Sequence, residues 1–168
     1  MTHPMSKKFK TFLPELLILA LLALGTLAFG QTESTTTHGA NWFTDQTEAQ
    51  TWAAENEAHI LMVFAGSDWC RYCMQFDREV LAQTTFKDYA TDKIAILFLD
   101  FPSRKKNRLD KEQRKHNDAL ADKYNRSGIF PKILLFDAEY NLYGGINFTG
   151  QDADNFVQEL TEMTADDK

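Results

Sequence analysis

The sequence predicts an α/β protein with one mixed central sheet and helices on both faces. Three observations lead there. Ile60–Ala65 and Ile94–Leu99 are short, unbroken apolar runs closed by polar or turn residues. The segments around them carry apolar residues at helical spacing. A third run, Ile133–Phe136, is separated from Leu142–Ile146 only by the polar stretch Asp137–Asn141. Short continuous apolar runs read as strands buried on both faces. Alternation with helices implies parallel strands joined by crossovers, and a final strand pair joined by a turn implies an antiparallel edge.

The elements follow in order. Lys7, Lys8 and Lys10 precede an apolar run of fourteen residues, Leu16–Phe29, and Ala28-Phe29-Gly30 places small residues where a signal peptidase reads. This is the pattern of a secretory signal peptide over residues 1–30, with a periplasmic or secreted product. Retention of residues 16–29 as a membrane anchor is the alternative, although a span needs about twenty apolar residues. Residues 31–41 are polar and aperiodic and read as a flexible linker. Residues 42–168 form a single expected domain.

Within that domain, Asp45 with Glu48 three residues on resembles a capping box, and Ala49, Trp52 and Ala53 share one helical face. The strand Ile60–Ala65 comes next. A helix then begins around the cysteines, with Phe76, Val80 and Leu81 at helical spacing. The strand Ile94–Leu99 follows. Residues 104–115 hold seven basic and two acidic side chains. They read as a solvated, partly helical surface insertion; a docking patch for an acidic partner is the sharper alternative. His116–Tyr124 should be helix, through Leu120, Ala121 and Tyr124. Ile133–Phe136 and Leu142–Ile146 pair, and Phe156, Val157 and Leu160 mark a closing helix.

Composition narrows the function. The 168 residues carry 43% hydrophobic and 25% charged side chains, enough for a real core. Net charge is −6; cleavage after Gly30 would remove three lysines and one glutamate, leaving 15 basic and 23 acidic residues, net −8. Such a chain is a poor nucleic-acid binder, because phosphate contacts need clustered cations.

The chemistry concentrates in Trp69-Cys70-Arg71-Tyr72-Cys73. Two cysteines three apart, where a strand gives way to a helix, suit dithiol–disulfide exchange. Unpaired N–H groups at the helix start, and the charge of Arg71, favour the thiolate that attacks a disulfide. Cys70 is therefore expected as nucleophile and Cys73 as resolving thiol. Two plainer readings stand beside this one. Structural zinc wants four ligands, yet there is no second C-x-x-C, and His3, His38, His59 and His116 are scattered, so no metal site is expected. A purely structural disulfide would close so short a loop that it constrains the unfolded chain little.

Phe64-Ala65-Gly66-Ser67-Asp68-Trp69-Cys70-Arg71-Tyr72-Cys73 resembles the active-site segment of the thioredoxin superfamily, in the Gly-Ser-Asp-Trp-Cys-x-x-Cys form of exported bacterial thioredoxin-like proteins. Gly128-Ile129-Phe130-Pro131-Lys132-Ile133-Leu134-Leu135-Phe136-Asp137 is similar to the family's second signature, and the resemblance covers roughly residues 42–163. It implies that Pro131 is cis and sits beside Cys70. The Phe130 backbone would bind an extended substrate segment by strand addition. Trp69 would cover the dithiol and touch substrate, or else only pack; Tyr72 would shape partner choice.

Two departures are visible. Arg71-Tyr72 stands where thioredoxins proper carry Gly-Pro, and Phe64 stands where they carry a buried Asp, leaving Asp68 as a weak stand-in proton acceptor.

The expected function is an exported protein-disulfide reductase. It would work on protein thiols and disulfides, with a membrane or periplasmic electron donor and no cofactor beyond the cysteine pair, as a monomer. The alternatives are a disulfide oxidase or isomerase, and a non-catalytic binding or metal-handling module whose thiolates suit soft ions.

Overall fold

A computed structural model describes residues 41–165. The expected signal segment over 1–30 and the linker up to residue 40 lie outside the described residues.

The elements are β1 (Trp42–Phe43), α1 (Gln46–Glu55), β2 (His59–Ala65), α2 (Arg71–Phe76), a π-helical turn (Asp77–Leu81), α3 (Thr84–Ala90), β3 (Ile94–Asp100), a 3₁₀ turn (Lys105–Asn107), α4 (Lys111–Tyr124), β4 (Lys132–Phe136), β5 (Leu142–Ile146) and α5 (Ala153–Met163). The strands form one sheet in the order β1-β3-β2-β4-β5. β1 and β2 run parallel to β3, while β4 is antiparallel to both β2 and β5. This is the expected mixed sheet with an antiparallel edge.

The unbroken apolar runs follow from burial of both sheet faces. Successive side chains of a strand point to opposite faces. Leu61 and Val63 of β2 join Ile94 and Ile96 of β3 and Phe76, Val80, Phe86, Phe156 and Leu160 in one core layer. Ile60, Met62 and Phe64 join Leu97 and Leu99 with Ala49, Ala53 and Leu120 of α1 and α4 in the other. Phe156 anchors the first layer, lying edge-on to Phe76 at 5.2 Å and to Phe86 at 6.0 Å between centroids.

Caps set the helix starts. Asp45 Oδ1 accepts from the N–H groups of Thr47 (2.8 Å) and Glu48 (3.1 Å). Asp152 does the same for Asn155 at 3.0 Å. Asp110 accepts from Gln113 N–H at 2.8 Å, so α4 begins at Lys111, five residues before the expected His116. The second half of the basic run is thus helical. The single helix expected after the cysteines is instead broken into α2, the π turn and α3. In that turn the Ala82 N–H reaches back to the Asp77 carbonyl at 2.8 Å.

Candidate active site

β2 ends at Ala65, and the chain turns sharply through Gly66 to Trp69. The N–H groups of Trp69 and Cys70 donate to the Gly66 carbonyl at 3.3 and 2.9 Å. Gly66 is required sterically: a Cβ there would come within 2.6 Å of the Trp69 indole.

Cys70 is the N-cap of α2 and Cys73 lies in its first turn; the two are joined as a disulfide. Both are buried, at 6% and 5% exposure. The Cys73 N–H donates to Cys70 Sγ at 3.1 Å, and the Gly66 N–H to Cys73 Sγ at 3.5 Å. Each sulfur therefore has a backbone donor aimed at it. The same donors would solvate negative charge on sulfur once the pair is reduced.

The Phe130–Pro131 peptide bond, just ahead of β4, is cis. Register pairs Lys132 with Phe64, so Pro131 stands level with the end of β2, where the cysteine loop begins. Buried Asn125 shapes the approach, donating to the Ile129 carbonyl at 2.9 Å and accepting its N–H at 3.0 Å. Gly128 between them takes a φ of +62°, which favours glycine. The Phe130 ring lies edge-on to Trp69 at 5.2 Å and to Phe101 at 5.5 Å.

Residues 41–138 match the family model described as thioredoxin-like. The chain belongs to that thioredoxin-like family. It is 34% identical over 92 residues to the disulfide bond reductase DsbH of Chlamydia pneumoniae, covering 55% of this chain and 54% of that protein. It is 28% identical over 158 residues to the thioredoxin-related protein DsbJ of the same organism, covering 92% of this chain and 44% of that one. The chain thus spans about half the length of these curated relatives. Among solved structures it is similar to the DsbH oxidoreductase, with TM-score 0.68 and 24% identity over 87% of this chain and 98% of that one. A thioredoxin from Thermus thermophilus gives TM-score 0.53 and 18% identity over 72% and 84%. At these identities the structures speak for the fold alone.

The thioredoxin-like site differs from the family pattern where the sequence departs from it. Phe64, in place of the buried acid, is fully buried in the layer under α1 and α4 and stacks on Phe101 at 6.3 Å. Asp68 is bound to the segment that follows β3. Its Oδ1 accepts from the Ser103 N–H (2.9 Å) and hydroxyl (3.2 Å), and its Oδ2 from the Arg104 N–H (3.0 Å) and the Asn107 amide (2.8 Å). Desolvation pushes this carboxyl up, but the Ser103, Arg104 and Asn107 hydrogen bonds outweigh it and lower it from 3.8 to about 2.

Its neighbours make the same connection. Ser67 donates its N–H and hydroxyl to the Asp100 carboxylate at 2.9 and 2.6 Å, and Trp69 Nε1–H donates to the Phe101 carbonyl at 2.6 Å. Ser67, Asp68 and Trp69 therefore clamp the cysteine loop to the segment that follows β3. Buried Asn117 on α4 secures the root of that segment, donating to the Asp100 carbonyl at 2.9 Å.

Of the expected site residues, Trp69 packs on Phe130 while remaining 48% exposed. Arg71 and Tyr72 are exposed on the first turn of α2, Tyr72 at 61%.

The clamp gives a pH prediction. A carboxyl whose folded-state value is depressed contributes stability that is present above its unfolded value and lost as pH falls through the folded one. The clamp should therefore be intact above about pH 4 and released as pH falls through about 2. In a ¹³C titration of the aspartate carboxyls, Asp68 should move near pH 2. An Asp68→Ala chain should show faster amide exchange at Ser103 and Arg104 at neutral pH. Unchanged exchange there would show that Asp68 does not hold the segment.

Proposed function

We propose that this protein is an exported thiol–disulfide oxidoreductase that reduces disulfides in other proteins, working as a monomer. The observation that carries the chemistry is the Cys70–Cys73 pair, capping α2 with a backbone N–H directed at each sulfur. Reduction is favoured as the direction because the relative that is 34% identical over 92 residues is named a disulfide bond reductase. The N-terminal basic and apolar pattern supports export.

The proposed step balances as follows. The Cys70 thiolate attacks one sulfur of the substrate disulfide, forming a mixed disulfide and releasing the substrate's other sulfur as thiolate. The Cys73 thiolate then attacks Cys70 Sγ. The Cys70–Cys73 disulfide forms, the second substrate thiolate leaves, and two electrons have passed to the substrate. A membrane or periplasmic dithiol donor returns the pair to its reduced form. Phe130, ahead of the cis proline, supplies backbone groups to an extended substrate segment, with Trp69, Arg71 and Tyr72 beside it.

Arg71 supports a second reading. Its charge beside Cys70 favours the thiolate, which stabilises the reduced pair and raises its potential toward those of oxidases and isomerases.

The potential decides between the two readings. The pair is equilibrated in defined thiol–disulfide buffers and followed by alkylation. The expected result is a value near or below about −230 mV. A value between about −180 and −120 mV would overturn the reductase in favour of an oxidase or isomerase.

A further inference from the structure

We propose that the segment Arg104–Arg108 is a docking strap for acidic protein segments that flank the substrate cysteine. The proposal rests on the oxidoreductase reading of the cysteine pair and names a substrate class for it.

The argument starts from charge. Four of the five residues from Arg104 to Arg108 are cations, in a chain of net charge −6. All five residues are exposed. Among the described residues the ion pairs are Arg78 with Glu79 and His116 with Asp45, so no described carboxylate forms an ion pair with the strap. Asp118 shares a cleft with Arg108, and three other nearby acids are hydrogen-bonded within the chain. Asp68 and Asp100 accept hydrogen bonds from the clamp, and Asp110 caps α4.

Position gives the charge its meaning. Asp68, two residues before Cys70, holds the Arg104 N–H and the Asn107 side chain, and Trp69 holds the Phe101 carbonyl. The strap is thus tied to the cysteine loop rather than left to sample solvent. Arg71 adds a further exposed cation beside Cys70. Exposed apolar groups lie on the segments that carry the cysteines and the cis proline: Trp69 precedes Cys70, Tyr72 lies on the first turn of α2, and Ile129 (54% exposed) precedes Phe130, whose ring packs on Trp69. An apolar contact patch bordered by fixed cations suits a protein segment carrying a buried-type side chain near its cysteine and carboxylates further along. Charge at a rim of this kind acts on encounter rate and partner choice more than on the chemistry itself.

The test uses the full chain and two labelled peptides of equal length, with serine in place of cysteine, flanked by Asp and Glu in one and by Lys and Arg in the other. Fluorescence anisotropy at low ionic strength should show the acidic peptide bound about tenfold more tightly or better. The advantage should shrink as salt shortens the screening length. It should vanish or reverse in Lys105→Glu/Lys106→Glu. It should persist in Lys87→Glu/Lys93→Glu, which makes the same change in net charge at the opposite end of β3.

Equal binding of the two peptides would overturn the proposal. So would a preference that the strap variant leaves intact or that both double variants abolish alike. Binding of phosphatidylglycerol vesicles through Lys105 and Lys106, without peptide preference, would assign the strap to a membrane surface instead. The disulfide-containing versions of the peptides separate this inference from the reading beneath it. Exchange without charge preference sinks the strap alone; preference without exchange sinks the oxidoreductase, and with it the strap's role toward substrate cysteines, leaving an acidic-peptide site.

Discussion

Serine in place of Cys70 should take disulfide exchange down to the background of the buffer thiols, while serine in place of Cys73 should halt the reaction at a trapped mixed disulfide. The asymmetry follows from position. Cys70 opens α2, between Trp69 and Arg71, both exposed, and its sulfur already accepts the Cys73 N–H. Cys73 lies one turn inward, its sulfur facing the Gly66 N–H beneath the loop. On the proposed function an incoming disulfide meets Cys70 first, and Cys73 then displaces it. Each variant is incubated with a disulfide-bonded protein substrate, and its products are separated without reductant. The Cys73→Ser chain should accumulate a covalent adduct that reductant releases. Adducts that form equally through Cys73 in the Cys70→Ser chain would abolish the asymmetry, and adducts through Cys73 alone would reverse the assignment. No adduct in either variant, with no turnover in the unmodified chain, would leave a binding module that uses the fold without exchange.

The second large effect is on stability. Phe64→Ala should cost about 3–5 kcal/mol, the usual penalty for truncating a fully buried aromatic side chain. For a domain of this size that is roughly 10–20 °C in Tm. Phe64 lies in the central strand β2, opposite Leu99 on one side and Lys132 on the other, and packs on Phe101. Its neighbours belong to three different elements, so the cavity cannot close by the shift of one. Chemical denaturation monitored by circular dichroism measures the loss. A cost below about 1 kcal/mol would mean that the layer collapses around the gap. The position is informative because thioredoxins proper, which the segment resembles, carry an acid there. In this chain the site is supported from below by aromatic packing, from Phe64 through Phe101 to Phe130 and Trp69.

The parts of the fold that depend on local pattern were legible in the sequence. β2, β3 and β4 were visible as continuous apolar runs because both sheet faces are covered, so no polar alternation interrupts them. β5 was found because a polar turn separates it from β4. β1 was missed: at two residues, Trp42 and Phe43, it has no period to detect, and only pairing with Ile96 and Leu97 makes it a strand. The start of α4 was missed because the charge of the basic run masked the Asp110 cap within it. The division after α2 was missed because Phe76, Val80 and Leu81 keep helical spacing through the π turn.

The site divides in the same way. The cysteines, Trp69 and Pro131 announce themselves by type and spacing. The clamp does not, because the partners of Ser67, Asp68 and Trp69 are 32 to 39 residues away in the chain. Only the fold brings β3's exit against the cysteine loop. Nor does Asn125 stand out, since its bonds to Ile129 resemble any turn until Phe130 and Pro131 are seen to follow.

The placement of β2 has a consequence for how the protein fails. It is the middle strand of five, flanked by β3 and β4, while β1 and β5 form the margins. Protein structures open piecemeal, and their margins fray at far lower free energy than their centres. Here the cysteine loop grows from the centre, and the proline loop leads into the strand beside it. Fraying of β1 or β5 leaves both loops rooted. The Cys70–Cys73 loop and the cis-proline loop are thereby kept apart from the small excursions of the sheet's margins.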